Sequence, residues 1–133
     1  MRRLSPLLLL MAAVACRGTT TAAVSPIAGT YQTSVSLTSN TCTGITVQNN
    51  PTTVTHDAGA TAFTLAHVGQ VYNGTLASDL SFTTAPKAIA VGSTTHTLTI
   101  GGRFNTGGFV ADVTAVVTGS TSCQYQVHWV GTR

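Results

Sequence analysis

The sequence predicts an all-β domain, an antiparallel up-and-down meander that closes into a small barrel or half-barrel. Apolar residues recur at every second position through most of the chain, which is the period of a strand with one buried face. No stretch has the period of a helix, and each short run is followed at once by Gly, Pro, Asn, Ser or Asp. A meander of eight to ten such strands has to close or fold over to hide its edges.

A two-sheet β-sandwich is the alternative fold. Its immunoglobulin version has a tryptophan between the two cysteines of the core disulfide. Here the only tryptophan, Trp129, follows both Cys42 and Cys123. The barrel is therefore the preferred prediction.

The first strand is predicted at residues 31–38, where every second side chain from Tyr31 to Leu37 can face a core. A second, short strand is predicted at 45–48, because apolar and polar residues alternate there. Residues 49–51, Asn-Asn-Pro, are predicted as a turn, since proline cannot donate to a sheet and asparagine tolerates left-handed geometry.

The same pattern continues to the C-terminus. Val68-Gly69 is predicted as a tight hairpin turn, Gly74 as a bulge or sharp bend, and Gly101-Gly102 as a break within one long strand. The remaining predicted strands are residues 52–55, 63–67, 71–76, 81–84, 88–91, 96–105, 109–118 and 123–130.

One face of these strands is predicted to form the core. An eight-stranded barrel holds side chains only or one small ligand, and the low aromatic content of 6% favours a filled interior. The predicted core residues are Tyr31, Val35, Leu37, Val47, Phe63, Leu65, Tyr72, Leu76, Phe82, Leu98, Ile100, Phe104, Val113, Val127 and Trp129.

The N-terminus has the pattern of a secretory signal peptide. Two arginines precede an apolar run at residues 4–14, which is shorter than the roughly 20 residues of a membrane span. We expect residues 1–15 to be removed, 16–26 to form the N-terminal tether and 27–133 to form a single β domain.

The number of cysteines bears on whether Cys16 carries lipid or the chain is simply secreted. The chain has three cysteines, Cys16, Cys42 and Cys123, and an odd cysteine in an oxidising compartment invites intermolecular pairing. If Cys16 carries lipid, Cys42 and Cys123 can pair and none is left over. That disulfide would close a loop of about 80 residues, which would stabilise the folded domain by roughly 4.5 kcal/mol. It would also link the first strand to the last.

The residues before Cys16 resemble the lipobox of bacterial lipoproteins, whose cysteine receives a thioether-linked diacylglycerol. The usual leucine three residues earlier is Ala13 here, and Ala13-Val14-Ala15 is also a site for the ordinary signal peptidase. The resemblance implies a lipid anchor at Cys16. Arg17 stands where an aspartate commonly retains lipoproteins at the inner membrane, which implies the outer membrane in a Gram-negative host; plain secretion or a periplasmic location is the alternative.

Two further resemblances concern the domain itself. Gly29-Thr30-Tyr31 resembles the Gly-x-Trp start of lipocalin and avidin-type, calycin-like barrels, in which a late arginine packs over the aromatic ring; Arg133 is implied in that role. The chain also resembles small uncharacterised Thr-rich bacterial lipoproteins. They share the Gly-Thr-Tyr start, an early and a late cysteine, and the terminal Gly-Thr-Arg, and they imply no activity.

Charge excludes some partners. Without the signal peptide the chain has four cationic side chains against three carboxylates, a net charge of +1. A phosphate backbone needs clustered Lys and Arg, so no nucleic-acid partner is expected. The expected partners are a membrane, through the N-terminal lipid, and a small apolar ligand.

Histidines carry the rival hypothesis, a metal-binding protein or metal-dependent enzyme. Three of the four could converge on zinc in a barrel, but no pair has a metal-type spacing, so no metal or cofactor is predicted. The candidates are His56, His67, His96 and His128.

No catalytic residue is predicted. A Gly-x-Ser-x-Gly elbow is missing, and only three carboxylates exist. Asp57 and Asp79 are expected at turns, and Asp112 on the outward polar face of its strand. The leading hypothesis is an exported, non-catalytic lipoprotein that binds a small ligand or serves as a surface or scaffold module.

Overall fold

A computed structural model of the chain describes residues 23–133; the predicted signal peptide, Cys16 and most of the predicted tether lie outside the described residues. The described part is all β, as predicted, and contains no helix that could cross a membrane. Its strands are β1 Gly29–Asn40, β2 Asn50–Thr55, β3 Ala62–His67, β4 Gln70–Leu76, β5 Ser81–Thr84, β6 Lys87–Val91, β7 Thr94–Asn105, β8 Gly108–Gly119 and β9 Cys123–Thr132.

Eight of these strands close into an antiparallel barrel. Sequence neighbours pair from β1 to β5 and from β7 to β9, and the two halves are joined by β1–β9 and β5–β7. The ninth strand, β6, pairs with the first part of β7, whereas β5 pairs with the later part around Gly101–Arg103. The prediction of a closed barrel is thereby confirmed.

The predicted disulfide is present and has the predicted place in the fold. Cys42 follows the end of β1, Cys123 begins β9, and their Cα atoms are 5.2 Å apart. Because β1 and β9 are neighbours, the bridge fastens the first and last strands where the barrel closes.

Two predictions in the first half of the chain are wrong. Residues 45–48 form no strand and belong to an irregular loop, residues 41–49, while Asn50 and Pro51 open β2 instead of making a turn. The alternation of Ile45 and Val47 has a different cause: both side chains are half-buried on the loop, and Val47 packs against the core.

One end of the barrel, at the start of β1, is filled and is called the closed end. Five rings pack there with centroid separations of 4.9 to 6.1 Å. This aromatic layer consists of Tyr31, Phe63, Phe82, Phe104 and Phe109.

Arg133 and Ile27 complete the closed end. The Arg133 guanidinium lies 5.1 Å from the centre of the Tyr31 ring and donates to the carbonyls of Ala28 and Pro26 at 2.9 and 2.6 Å. The Tyr31 hydroxyl donates to the Ile27 carbonyl at 2.7 Å. The N-terminal segment is thereby held across the base of the barrel.

The predicted core is buried or half-buried at every position except Leu37, which is 37% exposed. Leu37 lies near the far end of β1, where the pairing with β9 shifts register between Leu37 and Ser39. Alternation predicts the inward face of a strand but not where the barrel wall ends. Residues missed in the core are Ile27, Val54, Phe109, Ala111, Ala115 and Val117.

Gly74 is required for a reason other than the predicted bulge. Its pairing with Phe63 on β3 continues without a shift in register. A Cβ atom at Gly74 would lie 2.2 Å from Cζ of Phe63, because that ring covers the glycine. Glycine therefore makes room for a ring of the aromatic layer.

The β3–β4 hairpin offers a test of local strain. Val68 and Gly69 have φ of 48° and 71°, the pattern of a type I′ turn, and positive φ is unfavourable for a β-branched residue such as valine. The substitution V68N should raise the free energy of unfolding by about 1 kcal/mol, since asparagine tolerates this geometry. Urea denaturation measures the change, and an unchanged or lower stability would contradict the turn assignment.

Candidate ligand site at the open end of the barrel

The opposite end of the barrel, where β1 stops and β9 begins, is hollow and is called the open end. A cavity of about 520 Å³ lies there. The prediction of a filled interior therefore holds only for the closed end. The lining residues are Val35, Gly44, Ile45, Thr46, Val47, Gln48, Asn50, His67, Val68, Gln70, Tyr72, Ile89, His96, Leu98, Val113, Tyr125, Val127 and Trp129.

Strand direction sets the depth of each lining side chain. On β9, Tyr125 is near the rim and Trp129 lies two inward positions deeper, next to the aromatic layer. On β4, Gln70 is at the rim and Tyr72 lies deeper. Trp129 and Tyr72 are 4% and 3% exposed, so aromatic rings form the inner part of the cavity and amides its mouth.

The irregular loop of residues 41–49 forms one wall of the cavity. Its first part is fixed by the disulfide and by Thr41, whose amide donates to the Gln124 carbonyl at 2.9 Å. Its last part is fixed by Asn49, whose side-chain oxygen accepts a hydrogen bond from the Val35 amide at 2.9 Å. The loop is therefore held at both of its ends.

His67 is a buried hydrogen-bonded side chain of this cavity. Its Nδ1 lies 2.9 Å from Oγ1 of Thr52, which is 2.7 Å from Oγ1 of Thr33, and its ring lies 4.2 Å from that of Trp129. Burial lowers the pKa of His67 below its ordinary 6.5, although a hydrogen bond to the Pro51 carbonyl opposes this effect. The imidazole is therefore neutral at pH 7.

A second histidine lines the cavity beside a tyrosine. Nδ1 of His96 is 3.1 Å from the hydroxyl of Tyr125. Burial raises the pKa of Tyr125, and burial together with the neighbouring Tyr125 raises the pKa of Tyr72. Both phenols are protonated at neutral pH, and the lining includes no Lys, Arg, Asp or Glu. The cavity is therefore lined by apolar and hydrogen-bonding side chains, none of which carries a permanent charge.

The other two histidines lie elsewhere. Nδ1 of His56 accepts a hydrogen bond from the Ser25 hydroxyl at 2.6 Å, and its Nε2 donates to the Ala60 carbonyl at 2.7 Å, at the closed end. Nδ1 of His128 is 2.9 Å from Oδ1 of Asp112 on the outer surface. Within residues 23–133, no group of three or more His, Cys, Asp or Glu is placed to hold a metal ion.

The carboxylates occupy the predicted positions. Asp57 lies in the β2–β3 turn, where its carbonyl accepts from the amide of Ala60 at 3.0 Å. Asp79 accepts from the amide and hydroxyl of Ser81 at 3.0 and 2.6 Å, and these bonds lower its pKa. Asp112 is exposed on β8. None of the three lines the cavity.

Comparison of the chain with protein-family models, with curated proteins and with solved structures gave no match. The site is therefore interpreted from its own geometry.

Sequence reasoning named His67 and His96 but missed Tyr125 and the loop. The available signal was a set of polar side chains at inward positions, near the start of some strands and the end of others. Thr52 near the start of β2, His67 at the end of β3 and His96 near the start of β7 fit this description. In an antiparallel barrel, strand starts and ends alternate around one rim, so these residues meet there.

The lowered pKa of His67 predicts a loss of stability in acid. The unfolded chain binds a proton as pH falls below about 6.5, whereas the folded protein resists protonation until its lower pKa is reached. The free energy of unfolding should therefore have its full value above pH 6.5. It should decrease as the pH falls from about 6.5 to the lower pKa of folded His67. Urea denaturation between pH 5 and 8 should show a shallower dependence for H67Q than for the wild type. The exposed variant H128Q is the control, and equal slopes for H67Q and the wild type would contradict the assignment.

Proposed function

We propose that the protein is an exported lipoprotein, anchored through Cys16 to the bacterial outer membrane, that binds a small uncharged molecule in the open-end cavity without transforming it. The cavity of about 520 Å³ is the observation that carries the proposal. It falls within the roughly 300–1,000 Å³ typical of small-molecule sites.

The contrast between the two ends of the barrel supports binding. The closed end is filled by five rings, so these residues can pack an interior of this width. Side chains around a void lose dispersion contacts, which makes a persistent cavity unfavourable unless something fills it. The lining supplies ring faces, amides and hydroxyls, which suits the recognition of a molecule more than its conversion.

The covalent frame supports export. Disulfides are typical of proteins in oxidising compartments, and Cys42 and Cys123 pair with each other. Cys16 is then the odd cysteine, as the lipid-anchor hypothesis requires. The described N-terminal segment leaves from the closed end, where Arg133 holds Pro26.

Native mass spectrometry of the full-length protein, purified from its own host in mild detergent, tests the binding proposal. A noncovalent adduct of a few hundred daltons is expected. It should be lost in L98F, which places a larger side chain in the cavity, and retained in V110F, which alters the exposed outer face. V47F on the loop fills the same cavity from another side and should lose the adduct as well. An adduct that survives in both L98F and V47F would contradict binding in this cavity, and no adduct in the wild type would contradict ligand binding and leave the surface or scaffold role.

The same sample tests the anchor. The intact mass and the N-terminal peptide should correspond to a chain that begins at Cys16 and carries a diacylglycerol thioether. A free thiol at Cys16, or a chain that begins at another residue, would contradict lipidation and favour the secreted or periplasmic alternative.

A further inference from the structure

We infer that the ligand of the open-end cavity is an uncharged, planar ring compound with one or two hydrogen-bonding substituents. This inference rests on the proposed binding function and makes it more specific. It is carried by the shape of the inner cavity, the lack of charge in its lining and the position of its polar groups.

Flat surfaces dominate the cavity. Five of its lining side chains are rings: His67, Tyr72, His96, Tyr125 and Trp129. Aromatic rings pack favourably at centroid distances of about 4.5–7 Å, so a planar guest among them gains more contact than a puckered or branched one. The side chains that surround the cavity therefore favour a planar ring as the bound molecule.

The aromatic layer limits the length of the guest. Tyr31 and Phe109 pack edge to face at 5.2 Å, Phe82 and Phe104 lie 4.9 Å apart, and none of these rings lines the cavity. A long acyl chain would need a continuous channel past these rings. The cavity ends at this layer, which excludes extended lipid tails and favours a compact molecule.

The lining also selects against charge. No Lys, Arg, Asp or Glu contributes to it, so an ionised guest would lose hydration without gaining a counter-ion. The raised pKa values of Tyr72 and Tyr125 and the lowered pKa of His67 keep these side chains neutral as well. A neutral guest avoids this desolvation penalty.

The polar groups indicate the orientation of the guest. Gln48, Asn50 and Gln70 are at the mouth, and the His96–Tyr125 hydrogen bond lies near the rim, whereas Trp129 and Tyr72 lie deeper. A ring that enters first would contact Trp129 and Tyr72 and leave its polar substituent near His96 and Tyr125. A hydroxyl or carbonyl on such a ring can share their hydrogen bonds.

Three small probes separate shape from charge in the full-length protein. p-Cresol is planar and neutral, 4-methylcyclohexanol has the same heavy-atom skeleton but a puckered ring, and 4-hydroxybenzoate is planar but charged. Trp129 is the only tryptophan, so its indole N–H gives one assignable signal in a ¹H–¹⁵N spectrum. Titration of each probe against this signal gives its Kd. We expect p-cresol to bind at least about 10-fold more tightly than either other probe, a difference of about 1.4 kcal/mol in binding free energy.

Two variants locate the contact. Y125F keeps the ring but removes the hydroxyl beside His96, and should weaken p-cresol binding about 5-fold. Y31F changes a ring of the closed end outside the cavity and should leave p-cresol affinity unchanged. Equal effects of the two substitutions would overturn the placement of the polar substituent.

The outcomes also separate this inference from the binding proposal. Equal affinity for 4-methylcyclohexanol would overturn the requirement for a planar ring, and equal affinity for 4-hydroxybenzoate would overturn the requirement for neutrality. If no probe moves the Trp129 signal while native mass spectrometry shows a retained ligand, this inference fails alone. If neither binding nor a retained ligand is seen, both fail.

Discussion

Replacing the disulfide with the pair C42S/C123S is expected to lower the free energy of unfolding by about 4 kcal/mol. The two cysteines are 81 residues apart, and cross-linking so long a loop removes much of the conformational entropy of the unfolded chain. The loss is a large fraction of the roughly 5–15 kcal/mol that stabilises a typical domain. The bridge also fixes one end of the cavity loop, so ligand retention should fall together with stability.

Urea denaturation of the wild type and the double variant measures this effect. Reduction of the wild type should reproduce the midpoint of C42S/C123S, whereas reductant should not change the double variant. A wild-type midpoint that is insensitive to reduction would show that the bridge does not stabilise the closed barrel.

The substitution G74A is expected to lower the free energy of unfolding by about 2–3 kcal/mol, as overpacking of a core does. Elsewhere in a strand, replacing glycine with alanine is favourable by about 0.5–1 kcal/mol, because it reduces the freedom of the unfolded chain. Here the new Cβ would lie 2.2 Å from the ring of Phe63. That ring cannot withdraw, since it packs edge to face against Phe82 and Phe104 at 5.4 and 5.8 Å.

G101A is the matched control. An added Cβ at Gly101 would meet only the Phe82 carbonyl, at 3.9 Å, an ordinary contact distance. It should be neutral or slightly stabilising by thermal unfolding. If G74A and G101A had the same effect, the packing of Phe63 over Gly74 would be incorrect.

Much of this fold is predictable from the sequence because it depends on local pattern. Alternation assigns most strands, and nine of the eleven predicted core residues from Phe63 to Trp129 are buried, the other two being half-buried. Cysteine parity predicts the disulfide, and a closed meander places its two cysteines on neighbouring strands. These inferences need only the period of a strand and the number of thiols.

The cavity depends on quantities that local pattern does not contain. Alternation shows that Ile45 and Val47 have one buried side, but not whether that side faces a sheet partner or an open space. Likewise, it places His96 and Leu98 inward without giving the summed volume of the side chains around the barrel. Filled and hollow ends therefore have similar sequence patterns and differ only in three dimensions.

Thermal unfolding of the wild type and L98F, each with and without p-cresol, tests most directly whether the open end is a hollow ligand site. In a filled core, the larger side chain would lower the free energy of unfolding by about 1–3 kcal/mol, but a cavity has room for it. We predict that L98F unfolds at the wild-type temperature or above it and that p-cresol raises the midpoint of the wild type alone. A marked loss of stability in L98F, or an equal rise with p-cresol in both proteins, would contradict the account.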